Sequence, residues 1–270
     1  MPLLLKQVEP GRGALWVRDA FRLYARRPLA FTLMFVSYLA AVVLVSWLPF
    51  VGSLLIVMSL PLLSLGFMIA SQSALFGGPV TPLQFAEPLR GDPARRRALL
   101  LLCGLFGAGA VVIALLCDSV SNHAWQRLLA LMAGGNASAE QFAAIADEPA
   151  VERAQLLLAG LASLLAVPFW HAPALVHWGG QGAGQALFSS TLAVWRCKGA
   201  FLVYTLVWVA ATLVFSFAAS LLLALAGALQ AVWMLAAAAM LLFQTVFYVS
   251  LLFTFNDSFG GTEARPAEPA

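Results

Sequence analysis

His171 and His177 are the ionisable side chains that the sequence sets within an apolar stretch of membrane-spanning length. An imidazole at membrane depth can carry a proton or hold a ligand. Six residues on a helix amount to about 240° of rotation, so the two rings do not share a face. Pro173 between them also removes a backbone donor and bends the segment. A metal pair is therefore not expected. Two readings stand: His171 as a proton-handling or ligand-binding group held between helices, or both histidines as interfacial residues beside Trp170 and Trp178.

Prolines carry a second pattern. Pro61 and Pro168 each sit inside a long apolar run, and each is followed five residues later by another breaker, Gly66 and Pro173. Broken helices in transporters bind solutes through exposed backbone groups. The other reading is a kink whose freed carbonyls are met by Ser59, Ser64 or a neighbouring helix. Gln244, near the middle of the last apolar run, would line a pore or make an interhelical hydrogen bond worth about 0.6 kcal/mol; packing is the preferred reading. Small residues at four-residue spacing, Gly104 and Ala108, then Ser216, Ser220, Ala224 and Ala228, favour close helix contact.

Enzyme chemistry finds no footing. No Ser, His and acid, and no paired carboxylates, fall at membrane depth. The glycines at 179, 180, 182 and 184 miss the dinucleotide fingerprint, because Leu187 stands where the third glycine belongs. Cys103 and Cys117 are fourteen residues apart on one expected helix, and Cys197 lies between Arg196 and Lys198, so no disulfide is implied. No cofactor, no metal and no nucleic-acid partner is expected. Asn136-Ala-Ser138 matches a glycosylation sequon, but Ser138 and Gln141 read better as the capping box of a short outer helix.

The elements that position these residues follow from where charge is missing. Residues 28 to 86 and 199 to 256 contain no Asp, Glu, Lys or Arg, and about 20 apolar residues already cross a bilayer core as a helix. Hydrophobic residues make up 62% and charged residues 10% of the chain, which excludes a soluble globular or disordered protein. The expected fold is an all-α, polytopic transmembrane helical bundle of six spans in three hairpins, with interfacial amphipathic helices. The spans are Leu29–Phe50, Ser53–Phe76, Ala98–Cys117, Ala154–Val176, Gly199–Ala226 and Ala228–Phe255, with turns at Pro49 and Gly52 and at Gly227 and Gln230. Residues 1–28 make a cytoplasmic arm, 29–256 the transmembrane domain with outer loop 118–153, and 257–270 a disordered cytoplasmic tail. Leu3 to Leu5 are too few for a signal-peptide core, so no cleavage is expected.

Basic residues orient the chain. The arm, the second and fourth connections and the tail hold 13 Lys and Arg, and the opposite side holds Arg127 and Arg153. By the positive-inside rule both termini are cytoplasmic, in a bacterial inner membrane.

Before the first span, Trp16, Val17, Ala20, Phe21, Leu23 and Tyr24 share one helical face, and Arg18, Asp19, Arg22 and Arg26 share the other, with Arg27 just after. Such a helix lies in the headgroup plane. A shift of 171 residues gives Leu187, Phe188, Thr191, Leu192, Val194 and Trp195, then Lys198 and Gly199 in place of Arg27 and Pro28. Thr81, Pro82 and Gln84 start a degraded third copy that Pro88, Gly91 and Pro93 break. The pattern reads as three units, each a surface segment followed by a hairpin, or as ordinary amphipathic lead-ins to spans. Arg18, Arg22, Arg26, Arg27, Trp16, Trp195, Arg196 and Lys198 are the expected contacts to anionic headgroups.

The run Val167-Pro-Phe-Trp-His-Ala-Pro-Ala-Leu-Val-His-Trp-Gly-Gly-Gln-Gly, with Gln185-Ala-Leu-Phe-Ser-Ser-Thr and Trp195-Arg-Cys-Lys-Gly-Ala-Phe, resembles an uncharacterised family of six-span inner-membrane proteins from β-proteobacteria. Phe85-Ala-Glu-Pro-Leu-Arg-Gly-Asp-Pro-Ala-Arg-Arg-Arg-Ala-Leu-Leu looks like the same family. The layout is loosely similar to the membrane domain fused to some glycerophosphodiester phosphodiesterases and to YciC-like proteins. That likeness lends no catalytic residues, since the soluble barrel's His-Arg pair, Glu-x-Asp motif and further His have no counterpart in the chain. The expected function is a non-enzymatic scaffold or partner protein of the inner membrane, linked to envelope homeostasis. The alternative is a transporter or channel for a small neutral solute. The bilayer, its anionic headgroups and a membrane-protein partner are the expected partners, with oligomeric state left open.

Overall fold

Every backbone donor in a bilayer must be satisfied within the segment, which leaves helices as the structure for these apolar runs. The computed structural model describes residues 4–49, 51–134, 144–145, 148–225 and 232–260, and among them no strand occurs. Six helical segments are long and apolar enough to cross a membrane: Pro28–Ser46, Gly52–Leu75, Pro93–Val120, Pro149–Gly179, Lys198–Leu225 and Met234–Phe259. Each matches one expected span, with ends shifted by a few residues. The shift at Pro93 has a local cause: Asp92 accepts from the N–H groups of Ala94 and Arg95, so the helix starts before its arginines and carries them at its mouth.

The elements in order are α1 (Arg12–Arg26), α2 (Pro28–Ser46), α3 (Gly52–Leu75), two 3₁₀ turns (Pro82–Phe85 and Glu87–Leu89) and α4 (Pro93–Val120). Then come α5 (Ala124–Gly134), α6 (Pro149–Phe169), α7 (Ala172–Gly179), α8 (Ala183–Arg196), α9 (Lys198–Leu225) and α10 (Val232–Phe259). Thr81 and Gln84 form the expected capping box, ahead of short turns in place of a full surface helix. The last helix runs to Phe259, three residues into the expected tail. The expected turn at Gly227 and Gln230, the cap at Ser138 and Gln141 and the tail beyond 260 lie outside the described residues.

The three-unit reading gains a packing rule. Helix α1 docks on α9 and α10, the 3₁₀ turns dock on α3, and α8 docks on α6 and α7. Each unit's surface segment thus covers the hairpin of the unit before it, cyclically. The arrangement puts α3 centrally, against α2, α4 and α10. Buried Phe31, Met34, Phe67, Val246 and Val249 fill one core between hairpins one and three. Leu65, Met68, Leu99, Leu102, Leu175, Leu252 and Phe255 fill a second around the middle hairpin. Outward, Leu206, Leu213, Val214 and Phe217 are left to lipid.

The two prolines differ. Helix α3 runs unbroken through Pro61, where Ser64 Oγ donates to the Pro61 carbonyl at 2.8 Å and Ser59 Oγ to that of Ile56 at 2.6 Å. Gly66 is not a breaker there; it makes room for Phe85, whose ring would lie 2.3 Å from an added Cβ. At Pro168 the helix stops, and α7 restarts beyond Trp170 and His171. A Cβ added at Gly104 would meet no described residue within 4 Å, whereas Gly107 lies close against Met58 and Gly109 against Leu165.

Candidate functional site

At the basic end of the bundle, the start of the chain is clamped to the end of the last helix. Arg12 donates to Asp257 through Nε at 2.8 Å and Nη2 at 2.9 Å, and the Trp16 indole N–H donates to Asp257 Oδ2 at 2.7 Å. The Lys6 N–H reaches the Ser258 carbonyl at 2.8 Å. Trp16 is only 1% exposed, packed on Phe201 and Tyr204. It is therefore not a lipid contact, and the face holding Val17, Ala20 and Leu23 is buried in protein with it. The reason is a close approach: Gly13 lies where an added Cβ would meet the Ala200 carbonyl oxygen at 2.1 Å.

The arginines of α1 divide. Arg18 and Arg22 pair with Asp19 at 2.9 and 3.7 Å while staying exposed, as Arg26 does. Arg27 instead donates to the carbonyls of Gly77 and Gly78, tying the start of α2 to the end of α3. Replacing Asp257 with alanine removes three charge-assisted hydrogen bonds. Because the Arg12 side chain keeps 43% exposure, the expected cost is about 1–2 kcal/mol. Thermal melting checks it, and adding Arg12→Ala to Asp257→Ala should lower the midpoint little further.

Helix α8 has the exposure expected of α1. Its small residues Ala183, Ala186, Ser190 and Ala193 face the bundle, while Phe188 and Trp195 are each 70% exposed. Arg196 and Lys198 follow, with the Lys198 ammonium 5.2 Å from the centre of the Trp195 ring. The two copies thus match in sequence spacing and in helix bounds, yet they bury different faces.

His171 is 0% exposed and is buried within the bundle. Its ring lies among Phe201, Phe255 and Phe259 at 5.5–6.0 Å, and neither ring nitrogen has a partner among the described residues. Ser190 of α8 holds the break in place. Its Oγ accepts from the His171 N–H at 3.0 Å and donates to the Val167 carbonyl at 3.1 Å. In an unbroken helix those two groups would bond to each other, so the hydroxyl is inserted into the ladder. His177 lies half-buried beside Trp178 and does not join His171.

Sequence reasoning missed Ser190, Asp257 and Gly13. The spacing of Ala183, Ala186, Ser190 and Ala193 as one small-residue face was the available signal for the first. At the opposite end of the bundle His123 Nδ1 lies 2.7 Å from Asp118 Oδ2.

Cavities among the described residues touch several of the candidate positions. One of about 160 Å³ is lined by Pro61 and Ser64 of α3, Phe169 and Trp170 at the break, and Phe247 and Tyr248 of α10, the second helices of all three hairpins. One of about 420 Å³ lies between α2 and α3 around Tyr38 and Ser59. A third, about 580 Å³, lies between α9 and α10 and includes Gln244, Ser216 and Ser220. Gln244 is exposed there and makes no hydrogen bond to a described residue, so the packing reading of it is replaced.

The chain is 33% identical to a probable inner membrane protein of Burkholderia thailandensis over 261 residues, covering 96% of this chain and 95% of that one. The chain belongs to that family. No family model and no solved structure matches it. The likeness to the phosphodiesterase-linked membrane domain and to YciC-like proteins finds no support in these matches. With six apolar helices and near full-length coverage of that relative, the protein is a multi-pass inner-membrane protein.

Proposed function

We propose that this protein is a non-enzymatic scaffold of the inner membrane whose basic end faces the cytoplasm and engages anionic headgroups. The observation that carries the reading is a braced platform at that end. Arg12 and Trp16 lock α1 to Asp257, and Arg27 locks the first hairpin. Above this brace Arg18, Arg22, Arg26, Arg90, Arg96, Arg97, Arg196 and Lys198 are exposed, and Phe188 and Trp195 project from α8 beside them. Each exposed Lys or Arg near an anionic surface gains about 1 kcal/mol. The protein should melt at a higher temperature in anionic than in neutral nanodiscs, and Arg196→Gln with Lys198→Gln and Trp195→Ser should remove most of that difference. An equal midpoint in both lipids sinks the headgroup reading. Reporter fusions after residues 135 and 261 test orientation, with a periplasm-dependent reporter active only at the first.

A second reading, passage of a small neutral solute, draws on the 160 Å³ cavity where Pro61 and the break after Pro168 converge. Uptake of such a solute by proteoliposomes, lost on Ser64→Leu, is its test.

A further inference from the structure

We propose that the groove between α9 and α10 binds a membrane-soluble molecule with a planar, hydrogen-bond-accepting head and an aliphatic tail, of the prenylquinone class. The volume, about 580 Å³, falls in the range of small-molecule sites. Its lining sorts along its length. Trp170, Tyr204, Trp208, Phe243 and Phe247 gather at the inner end, and Leu223, Val232, Leu235 and Ala236 line the other. Flat aromatic walls suit a ring, and the aliphatic end suits a tail.

Polar groups fix what the head must offer. Gln244 stands twelve residues into α10, a rise of about 18 Å, close to the middle of a 30 Å hydrocarbon layer. Its amide faces the groove with no bond to any described residue, and an acyl chain cannot satisfy it. Thr205 and Thr212 already donate to the carbonyls of Phe201 and Trp208, so they add acceptor capacity only. The donors that make no hydrogen bond to a described residue are the Gln244 amide, the Ser216 and Ser220 hydroxyls outward of it, and the buried Trp208 indole N–H. A ring that bears carbonyl oxygens matches that set.

The repeat supplies an internal control. Ser37, Ala41 and Val45 line the groove between α2 and α3, and the 171-residue shift carries them onto Trp208, Thr212 and Ser216 of the α9–α10 groove. In the first groove Tyr38 and Ser59 bond to each other at 2.9 Å, and no glutamine lines it. Same architecture, no comparable free donor: that groove should take lipid without selecting a head.

The test is independent of the scaffold reading. Full-length protein in neutral nanodiscs is titrated with decylubiquinone and, separately, with decylbenzene, which keeps ring and tail but lacks acceptors. Native mass spectrometry reads stoichiometry and oligomeric state. Decylubiquinone should bind saturably at one per chain and more tightly than decylbenzene. Gln244→Leu, a change at an exposed position, should weaken it roughly fivefold to tenfold. Ala236→Trp should abolish binding, and Ala41→Trp should leave it unchanged. Equal affinity for both probes, or no effect of Gln244→Leu, would make the groove an acyl-chain filler and overturn the proposal. So would absence of saturable binding, or a dimer that Ala236→Trp dissociates, which would mark a helix-docking face.

Discussion

Gly13→Val is expected to detach α1 from the bundle. The Cα of Gly13 sits so near α9 that an added Cβ would lie 2.1 Å from the Ala200 carbonyl oxygen and 2.7 Å from the Tyr204 nitrogen. Both are backbone atoms of a membrane helix, and no rotamer change relieves the overlap. Either α1 withdraws, or α9 bends at a site buried among Trp16, Phe201 and Tyr204. Withdrawal also breaks the Arg12 and Trp16 bonds to Asp257. Overpacking alone costs about 1–3 kcal/mol, and the lost clamp raises the expected total to roughly 3–5 kcal/mol. The readout is twofold: a lowered melting temperature, and new protease cleavage between residues 12 and 27 in the folded protein. If Gly13→Val melts with the wild type and stays protease-resistant, the close crossing of α1 and α9 is wrong.

That residue also shows why the surface helices were only half legible. The spans could be read because charge deserts of fixed length admit one solution in a bilayer, and all six were found. An amphipathic face is a weaker statement: it says that one side avoids water, and a lipid surface and a protein groove satisfy it equally. Two residues outside the pattern settled the matter for α1. Gly13 permits contact, and Asp257, more than two hundred residues away, receives Trp16. Helix α8, with alanines and Ser190 on its inner side, packs through that small face and leaves Phe188 and Trp195 outside. At the candidate sites, the sequence singled out Gln244 and His171 as polar groups within apolar runs. What each faces depends on neighbours distant in sequence: Phe201, Phe255 and Phe259 for the histidine, and an open groove for the glutamine. Of the two prolines only Pro168 lies at a break, and the Ser190 hydroxyl that fills the gap there comes from another helix.

That repair makes Ser190 the most consequential polar residue of the middle hairpin. Ser190→Ala is expected to lower stability by about 2–4 kcal/mol, because it strips a hydrogen bond from both the His171 N–H and the Val167 carbonyl where water is excluded. The loss has one escape, which is for α6 to close the gap and bond the two groups directly. Pro173 opposes it, since it lacks the N–H that the Phe169 carbonyl would need in a continuous helix and its ring crowds that carbonyl. Adding Pro173→Ala should therefore recover much of the stability lost in Ser190→Ala, while Pro173→Ala alone should do little or weaken the fold. Closing the gap would also move Trp170, whose indole N–H now donates to Thr254 at 3.2 Å and whose ring walls both the central cavity and the α9–α10 groove. Thermal melting of the three variants, read with cysteine accessibility at position 64 in the cavity, tests the scheme. A Ser190→Ala protein as stable as the wild type, or a double variant no better than the single, would show that the prolines alone set the break and that the hydroxyl merely occupies it.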